Sequence, residues 1–167
     1  RLHLGSGDVI SEVKQIEDGP WEERISERLK QFGSTDASRA IGERARSVIR
    51  DAAPQLKAHR VEKIPLVIFA MDLTSHGHLS EVDIDAAMFG RPIVRFHADG
   101  KHPDDWRSDF GHSGGKQMKE DGRVYISALC VMKGRSFALE IFHNPFAEIP
   151  LFPHYFPHPE DKHFIKG

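Results

Sequence analysis

The chain has 167 residues, with 23 Lys and Arg against 25 Asp and Glu and a formal net charge of -2. This length suits one domain with a sizeable core, so we interpret residues 1–167 as a single unit. The charge argues against a protein that coats nucleic acid over its whole surface, although a local basic patch is compatible with it. The one cysteine, Cys130, excludes an internal disulfide framework and fits a cytoplasmic protein. No apolar run approaches the ~20 residues that span a bilayer, so we expect no membrane partner.

The first third of the chain predicts a β-hairpin followed by two helices. Arg1–Leu4 and Val9–Ile16 flank a glycine-containing turn, which favours a hairpin. Trp21–Phe32 is rich in Glu, Arg and Lys and predicts a polar surface helix that ends at Gly33. Ser38–His59 has apolar residues at three- and four-residue steps, the pattern of an amphipathic helix.

The helix predicted over Ser38–His59 has two further properties. Its expected buried stripe consists of Ile41, Ala45, Val48, Ile49, Ala52 and Leu56. Pro54 lies inside the pattern and predicts a kink or break near Ala52 and Ala53. Between Arg39 and Lys63 there are seven Lys or Arg against three acidic residues, which makes this the most basic stretch of the chain.

The remaining elements indicate the fold class. Ile64–Met71 is a continuous apolar run, typical of a strand buried on both faces. A strand, a helix and a buried strand in this order predict an α/β fold with a central mixed sheet flanked by helices. Further along the chain we expect a helix at Glu81–Phe89, strands at Pro92–Phe96, Val124–Met132 and Ser136–Phe142, loops over residues 98–121, and an extended tail over residues 144–167.

The strand after the first turn ends in a Glu-x-Lys pattern. Residues two apart on a strand point to the same face, so Glu12 and Lys14 project side by side while Val13 points the other way, into a core. The two charges can form an ordinary surface pair. They can also serve phosphodiester hydrolysis, with the carboxylate on a divalent metal and the ammonium near the attacking water.

The hairpin ending in Glu12-Val13-Lys14, the long helix and the buried strand together resemble the core of the PD-(D/E)XK nuclease superfamily, the restriction-endonuclease-like fold. The similarity covers about residues 1–71. It implies that Glu12 and the carbonyl of Val13 hold Mg²⁺ or Mn²⁺, that Lys14 serves the attacking water, and that Gln55 lies beside the site. It implies DNA or RNA as the substrate. The residues of the basic helix expected to face its phosphate backbone are Arg39, Arg46, Arg50 and Lys57.

Three later segments also look like bacterial members of this superfamily whose role is undefined. They are Ala87–Gly90, Ile126–Leu129 and His143–Ala147.

One feature departs from the superfamily pattern. Its members carry another acid on the strand before the (D/E)xK strand, and Arg1–Leu4 contains none. We expect that acid upstream of Arg1, together with the first helix and strand of the fold. The partners expected besides nucleic acid are this upstream segment of the same protein or a second copy of the chain in a homodimer. Asp8 is a poorer metal ligand, because it shares a strand face with Glu12 but lies roughly 13 Å from it unless the strand bulges. We therefore expect the 167-residue chain alone to cleave poorly or not at all.

Two other interpretations stay open. The chain can be a non-catalytic interaction or regulatory domain on the same fold, which keeps the architecture without the chemistry. It can also be a metal-binding domain built on the histidine-rich tail, although the histidines follow no known ligand spacing. The segment Gly111–Lys116 lacks the spacing of a phosphate-binding loop, and we expect no phosphate site there.

Overall fold

The computed structural model describes residues 2–4, 7–33, 40–75, 77–98, 106–134 and 138–165. Three α-helices lie in these ranges: α1 Pro20–Phe32, α2 Glu43–Ala58 and α3 Glu81–Phe89. Eight β-strands also lie there: β1 Leu2–Leu4, β2 Gly7–Ile16, β3 Leu66–Asp72, β4 Arg91–Ala98, β5 Trp106–Ser113, β6 Ala128–Lys133, β7 Leu139–His143 and β8 Lys162–Phe164.

Six of the strands form one mixed sheet in the order β1-β2-β3-β6-β7-β8. β2, β3 and β6 run parallel, whereas β1 is antiparallel to β2 and β7 is antiparallel to β6. β4 and β5 form a separate antiparallel pair. The predicted α/β class with a central mixed sheet and flanking helices is thus confirmed.

The β2–α2–β3 crossover is the part of the fold that the sequence predicted best. β2 and β3 are parallel neighbours in continuous register from the Ile10–Leu66 pair to the Ile16–Asp72 pair. Parallel strands need a crossover connection, and the segment that contains α1 and α2 supplies it, with α2 packed on the two strands. β3 is mostly buried on both faces, as its unbroken apolar run predicted.

Helix α2 differs from its prediction at its start. It begins at Glu43 because Gly42 adopts a left-handed conformation with φ of 76° and forms the N-cap. A Cβ atom at Gly42 would lie 2.8 Å from the backbone oxygen of Asp83, so the close approach of α3 also requires glycine there. Ile41 therefore precedes the helix and is 47% exposed, and its assignment to the buried stripe was wrong.

Of the kink or break expected near Ala52 and Ala53, the break was wrong, because α2 continues through Pro54 to Ala58. Pro54 is exposed, so water can satisfy the carbonyl of Arg50 that loses its intrahelical donor. The rest of the predicted stripe is buried: Ala45, Val48, Ile49, Ala52 and Leu56.

Different parts of the chain cover the two faces of the six-stranded sheet. On one face, residues such as Ile49 and Leu56 of α2 and Ile84 of α3 pack on Ile68 and Leu129 of the sheet. On the other face, Leu151 and Phe156 from the C-terminal segment pack on Val67, Cys130 and Ile141. The C-terminal segment also adds β8, which runs parallel to β7.

Several stretches differ from their sequence-based boundaries. Trp106–Ser113 is a strand paired with β4, not a loop, so the prediction for residues 98–121 was wrong there. Val124 and Tyr125 form a turn, and Ile126 and Ser127 belong to no regular element, so β6 starts at Ala128 rather than Val124. β7 ends one residue later than predicted, at His143. No helix of the described part is long and apolar enough to cross a membrane.

Candidate active site on strand β2

The face of β2 that turns towards α2 carries two charged residues between two apolar ones. Ile16 is buried in the core beneath the helices, and Ile10 packs against the same core. Glu12 and Lys14 lie between them on the same face, as the strand alternation predicted. Both remain partly accessible, with 27% of the Glu12 side chain and 23% of the Lys14 side chain exposed. An accessible charge pair therefore lies at the border of an apolar core.

Glu12, Lys14 and Gln55 meet in one cluster. Lys14 Nζ lies 2.9 Å from Glu12 Oε1 and donates a hydrogen bond of 2.7 Å to Gln55 Oε1. Gln55 comes from the last part of α2, whose packing on β2 and β3 brings it over the strand. The three residues proposed from the sequence for one site are therefore in contact. The cluster offers a carboxylate and a fixed ammonium, which can bind a cation and a phosphate oxygen, respectively.

Val13 does not point into a core, so that prediction was wrong. Its side chain is 53% exposed on the opposite face of β2. The buried cluster on that face includes Val9 and Val67 but does not reach Val13, because the C-terminal segment covers only part of the sheet. The residue still lies between Glu12 and Lys14 in the strand.

Asp8 shares the face of Glu12, but the structure does not bring the two together. β2 is a single strand from Gly7 to Ile16, and its residue Asp8 pairs with His3 of β1. Four residues of extended strand separate Asp8 from Glu12 by roughly 13 Å. A metal ion held by Glu12 is therefore out of reach of Asp8 in this conformation.

The basic residues assigned to nucleic-acid contact have different surroundings. Arg39 lies outside the described residues. Arg46 donates to the carbonyls of Ile41 and Ala86, so it ties the start of α2 to α3. Arg50 is exposed and interacts with its neighbours Ser47 and Asp51 on α2. Lys57 is exposed in the last turn. Arg50 and Lys57 are seven residues apart and lie on one side of the helix.

Sequence reasoning missed a buried carboxylate, Asp72, at the end of β3. Its oxygens accept hydrogen bonds from Thr74 Oγ1 at 2.7 Å, from the Leu79 N–H at 2.6 Å and from the Thr74 N–H at 3.2 Å. Burial alone would raise the pKa of Asp72, but these hydrogen bonds and the charge of Arg44 outweigh it and lower the pKa. The available signal was an Asp that ends an apolar run, followed two residues later by a Thr.

Arg44 connects this carboxylate to α1. Its Nη1 lies 3.1 Å from Glu22 Oε1, and its Nη2 lies 3.9 Å from Asp72 Oδ1. Glu22 is 4% exposed, and its other oxygen accepts from the Gly19 N–H at the start of α1. The network joins three segments of the chain and is structural in character, since its charges are paired with one another.

A pair of histidines lines a cavity of about 570 Å³ beside β7 and β8. His143 Nε2 and His163 Nδ1 are 3.0 Å apart, so one nitrogen must donate to the other. Burial, and then the neighbouring His163, lower the pKa of His143. Aromatic residues, Phe89, Phe142 and Phe164, form much of the remaining wall. No ligand spacing in the sequence identifies this pair.

Two further observations concern metal and thiol chemistry. Within the described ranges, no group of three or more His, Cys, Asp or Glu side chains is arranged to hold a metal ion. Cys130 is fully buried, and burial raises the pKa of its thiol far above the ordinary value, so it packs as a small apolar residue.

Comparisons with known proteins identified no relative. No family model matches the chain, and neither a curated protein nor a solved structure matches it. The fold and the site therefore define the class, a mixed-sheet α/β protein with a Glu-Lys-Gln cluster between its second strand and its crossover helix.

Proposed function

We propose that this chain is a metal-dependent, nuclease-like domain of the restriction-endonuclease-like fold, which hydrolyses phosphodiester bonds of DNA or RNA. One observation carries the proposal, namely the contact of Lys14 with both Glu12 and Gln55. A Glu-x-Lys pattern that formed only a surface ion pair would need no side chain from a neighbouring helix. Here α2 contributes a neutral acceptor that fixes the ammonium beside the carboxylate, which is the arrangement that positions a charge for catalysis.

The residues present are compatible with a bound Mg²⁺ or Mn²⁺. Mg²⁺ accepts one or two protein carboxylates and completes its shell with water and substrate phosphate oxygens, so Glu12 and the carbonyl of Val13 are a sufficient protein contribution. When bound, such an ion neutralises charge at the phosphoryl group and acidifies a water molecule. Lys14 would stabilise the charge that develops at the attacked phosphate, and Gln55 would hold the Lys14 ammonium in place.

Substrate would approach from the side on which Glu12 and Lys14 are accessible. Arg50 and Lys57 are exposed on the helix that also carries Gln55. At about 100° of rotation per residue, both lie roughly 140–160° around the helix from Gln55, so a phosphate backbone that contacts them would have to cross the exposed face of α2 to reach the cluster. This part of the proposal predicts binding without sequence specificity, because none of these contacts would involve a base edge.

The test is cleavage of plasmid DNA and of single-stranded RNA by the 167-residue chain and by the natural full-length product, with Mg²⁺, with Mn²⁺ and with a chelator. Glu12→Gln and Lys14→Met should lower the rate by roughly 10²- to 10³-fold. Glu62→Gln and Lys63→Met are matched controls, since both side chains are exposed near the end of α2. Chelator-resistant cleavage, or cleavage that Glu12→Gln leaves unchanged, would overturn the proposal.

The second candidate is a non-catalytic interaction domain, and α1 supplies the observation in its favour. Trp21, Ile25, Leu29 and Phe32 follow one side of this helix at helical spacing. Leu29 is 36% exposed and Phe32 is 63% exposed. The full-length product would then bind neither metal nor nucleic acid. Phe32→Ser would abolish binding of a protein partner and would leave the melting temperature unchanged.

A further inference from the structure

Another cavity, of about 730 Å³, lies between the end of α3, the end of β5 with the loop that follows it, and the turn after β7. Pockets that bind small organic molecules in proteins have volumes of roughly 300–1,000 Å³, so this cavity is large enough for such a ligand. The described residues that line it do not include the Glu12–Lys14–Gln55 cluster. It is therefore a site separate from the one on β2.

The segments Ala87–Gly90 and His143–Ala147, which the proposed active site does not use, meet at this cavity. The first contributes Phe89 and the second contributes Phe146, so each places an aromatic ring in the lining. Met118, which is fully buried, lines it as well. Apolar walls that contain rings from two segments favour a flat aromatic ligand, because its ring can stack on theirs or meet their edges.

Backbone and side-chain hydrogen bonds hold both walls in place. The Met118 N–H donates to the Met88 carbonyl at 2.8 Å, which fixes the loop after β5 on the end of α3. On the other side, the Phe146 N–H donates to Asn144 Oδ1 at 3.1 Å, and the amide of Asn144 donates to the Ile126 carbonyl at 2.8 Å. The cavity is therefore formed before a ligand binds, which lowers the entropic cost of binding.

The charged groups around the cavity differ in whether they already have a partner of opposite charge. Lys119 Nζ lies 2.9 Å from Asp121 Oδ1, and His112 Nε2 lies 3.5 Å from Asp85 Oδ2. Lys116 also lines the cavity and is exposed, and in the described part of the chain no carboxylate pairs with its ammonium. Lys116 is therefore available to an anionic group of a ligand.

We propose that this cavity binds a small aromatic monocarboxylate, with its ring between the apolar walls and its carboxylate on Lys116. A hydrogen bond between an ammonium and a carboxylate is among the stronger polar contacts that a small ligand can make. Glu120 and Asp121 are exposed at the same rim and would repel a second negative charge, so a monoanion is favoured over a phosphate dianion. The segment Gly111–Lys116 also lacks the spacing of a phosphate-binding loop.

The first experiment titrates the isotope-labelled protein with benzoate, benzamide and benzylammonium, which share one ring and differ in charge. Benzoate should shift the amide resonances of Lys116, Met118 and Phe146, and it should bind about 10- to 100-fold more tightly than benzamide. Benzylammonium should not bind. Adenosine monophosphate, an aromatic phosphate, should bind more weakly than benzoate. The absence of benzoate binding, equal binding of benzamide, or tighter binding of adenosine monophosphate would overturn the proposal.

The second experiment reverses the charge that is proposed to hold the carboxylate. Lys116→Glu should lose benzoate and gain benzylammonium, and the exposed position should let the variant fold. Lys63→Glu, also at an exposed position but beyond the end of α2, is the control and should bind benzoate like the wild type. Phe146→Leu keeps an apolar side chain without the ring and should weaken benzoate binding. Benzoate binding that survives Lys116→Glu would overturn the proposal. Neither titration depends on nuclease activity.

Discussion

Lys14 and Gln55 are joined by a 2.7 Å hydrogen bond across 41 positions of the chain. The bond links the strand that enters the β2–α2–β3 crossover to the helix that forms it. Together with the contact to Glu12, it directs two of the three ammonium donors of Lys14 to fixed acceptors. The position of this ammonium thus depends on the packing of α2 on the sheet as well as on the strand itself.

The first prediction concerns Gln55 as a positioning residue. Under the nuclease function proposed above, Gln55→Ala should lower kcat for phosphodiester cleavage by about 10- to 100-fold, in line with the loss of other groups that orient a functional side chain. The melting temperature should hardly change, because Gln55 is exposed. Gln55→Glu keeps an acceptor for Lys14 and should recover part of the rate, with an altered pH–rate profile. Equal rates in the wild type and Gln55→Ala would remove Gln55 from the site.

The sequence was sufficient to predict this part of the fold because its signals are local and agree with one another. Alternation placed Glu12 and Lys14 on one face of β2, and helical periodicity placed Gln55 on α2, whereas its position beside the pair was implied by the resemblance. The direction of Val13 could not be predicted in the same way. Alternation gives the face of a residue, but how far the C-terminal segment extends over that face depends on packing far along the chain.

The second prediction tests the buried stripe of α2 with two chemically identical substitutions. Ile49 is fully buried, whereas Ile41 is 47% exposed before the helix begins. Ile49→Ala should lower the free energy of unfolding by about 2–5 kcal/mol, because it leaves a cavity in the core. Ile41→Ala should change it little. Urea denaturation of both variants measures the difference, and a similar loss in both would mean that the helix starts earlier than Glu43.

A charged residue in the buried stripe of α2 should destabilise the fold more than the loss of side-chain volume does. Ile49→Asp and Ala45→Asp should each unfold the domain, because each buries an unpaired carboxylate beneath the helix. Ile41→Asp is the control and should fold, since its side chain reaches water. Circular dichroism distinguishes the two outcomes, and cooperative melting of Ala45→Asp near the wild-type temperature would show that this face is misassigned.

The third prediction concerns Asp72. Asp72→Asn keeps the shape of the side chain but replaces one acceptor oxygen with a donor, next to the N–H groups of Thr74 and Leu79. The loss of satisfied buried hydrogen bonds should lower the free energy of unfolding by about 1–3 kcal/mol. Asp51→Asn, at an exposed position, is the control and should be neutral. An unaltered midpoint in urea for Asp72→Asn would contradict the network.

Asp72 also shows why some features stayed hidden in the sequence. Its partners Thr74 and Leu79 follow within seven residues, but Arg44 comes from another element, and only the packing of α2 brings it close. The contact between the two histidines could not be predicted from the sequence for the same reason. His143 and His163 become neighbours because β8 pairs with β7, and a three-residue strand in a proline-rich tail carries too weak a pattern to predict.

The last prediction is a pH dependence of stability that arises from His143. Burial, and then His163, lower its pKa in the folded protein below the value of about 6.5 expected in the unfolded chain. The unfolded state therefore binds more protons as the pH falls through this range, so stability is fully present above about pH 6.5 and decreases below it. His143→Gln should flatten this decrease, whereas His59→Gln, at an exposed position, should not. Urea denaturation at pH 8 and at pH 5 measures the effect, and the same loss of stability in the wild type and in His143→Gln would assign the dependence to other groups.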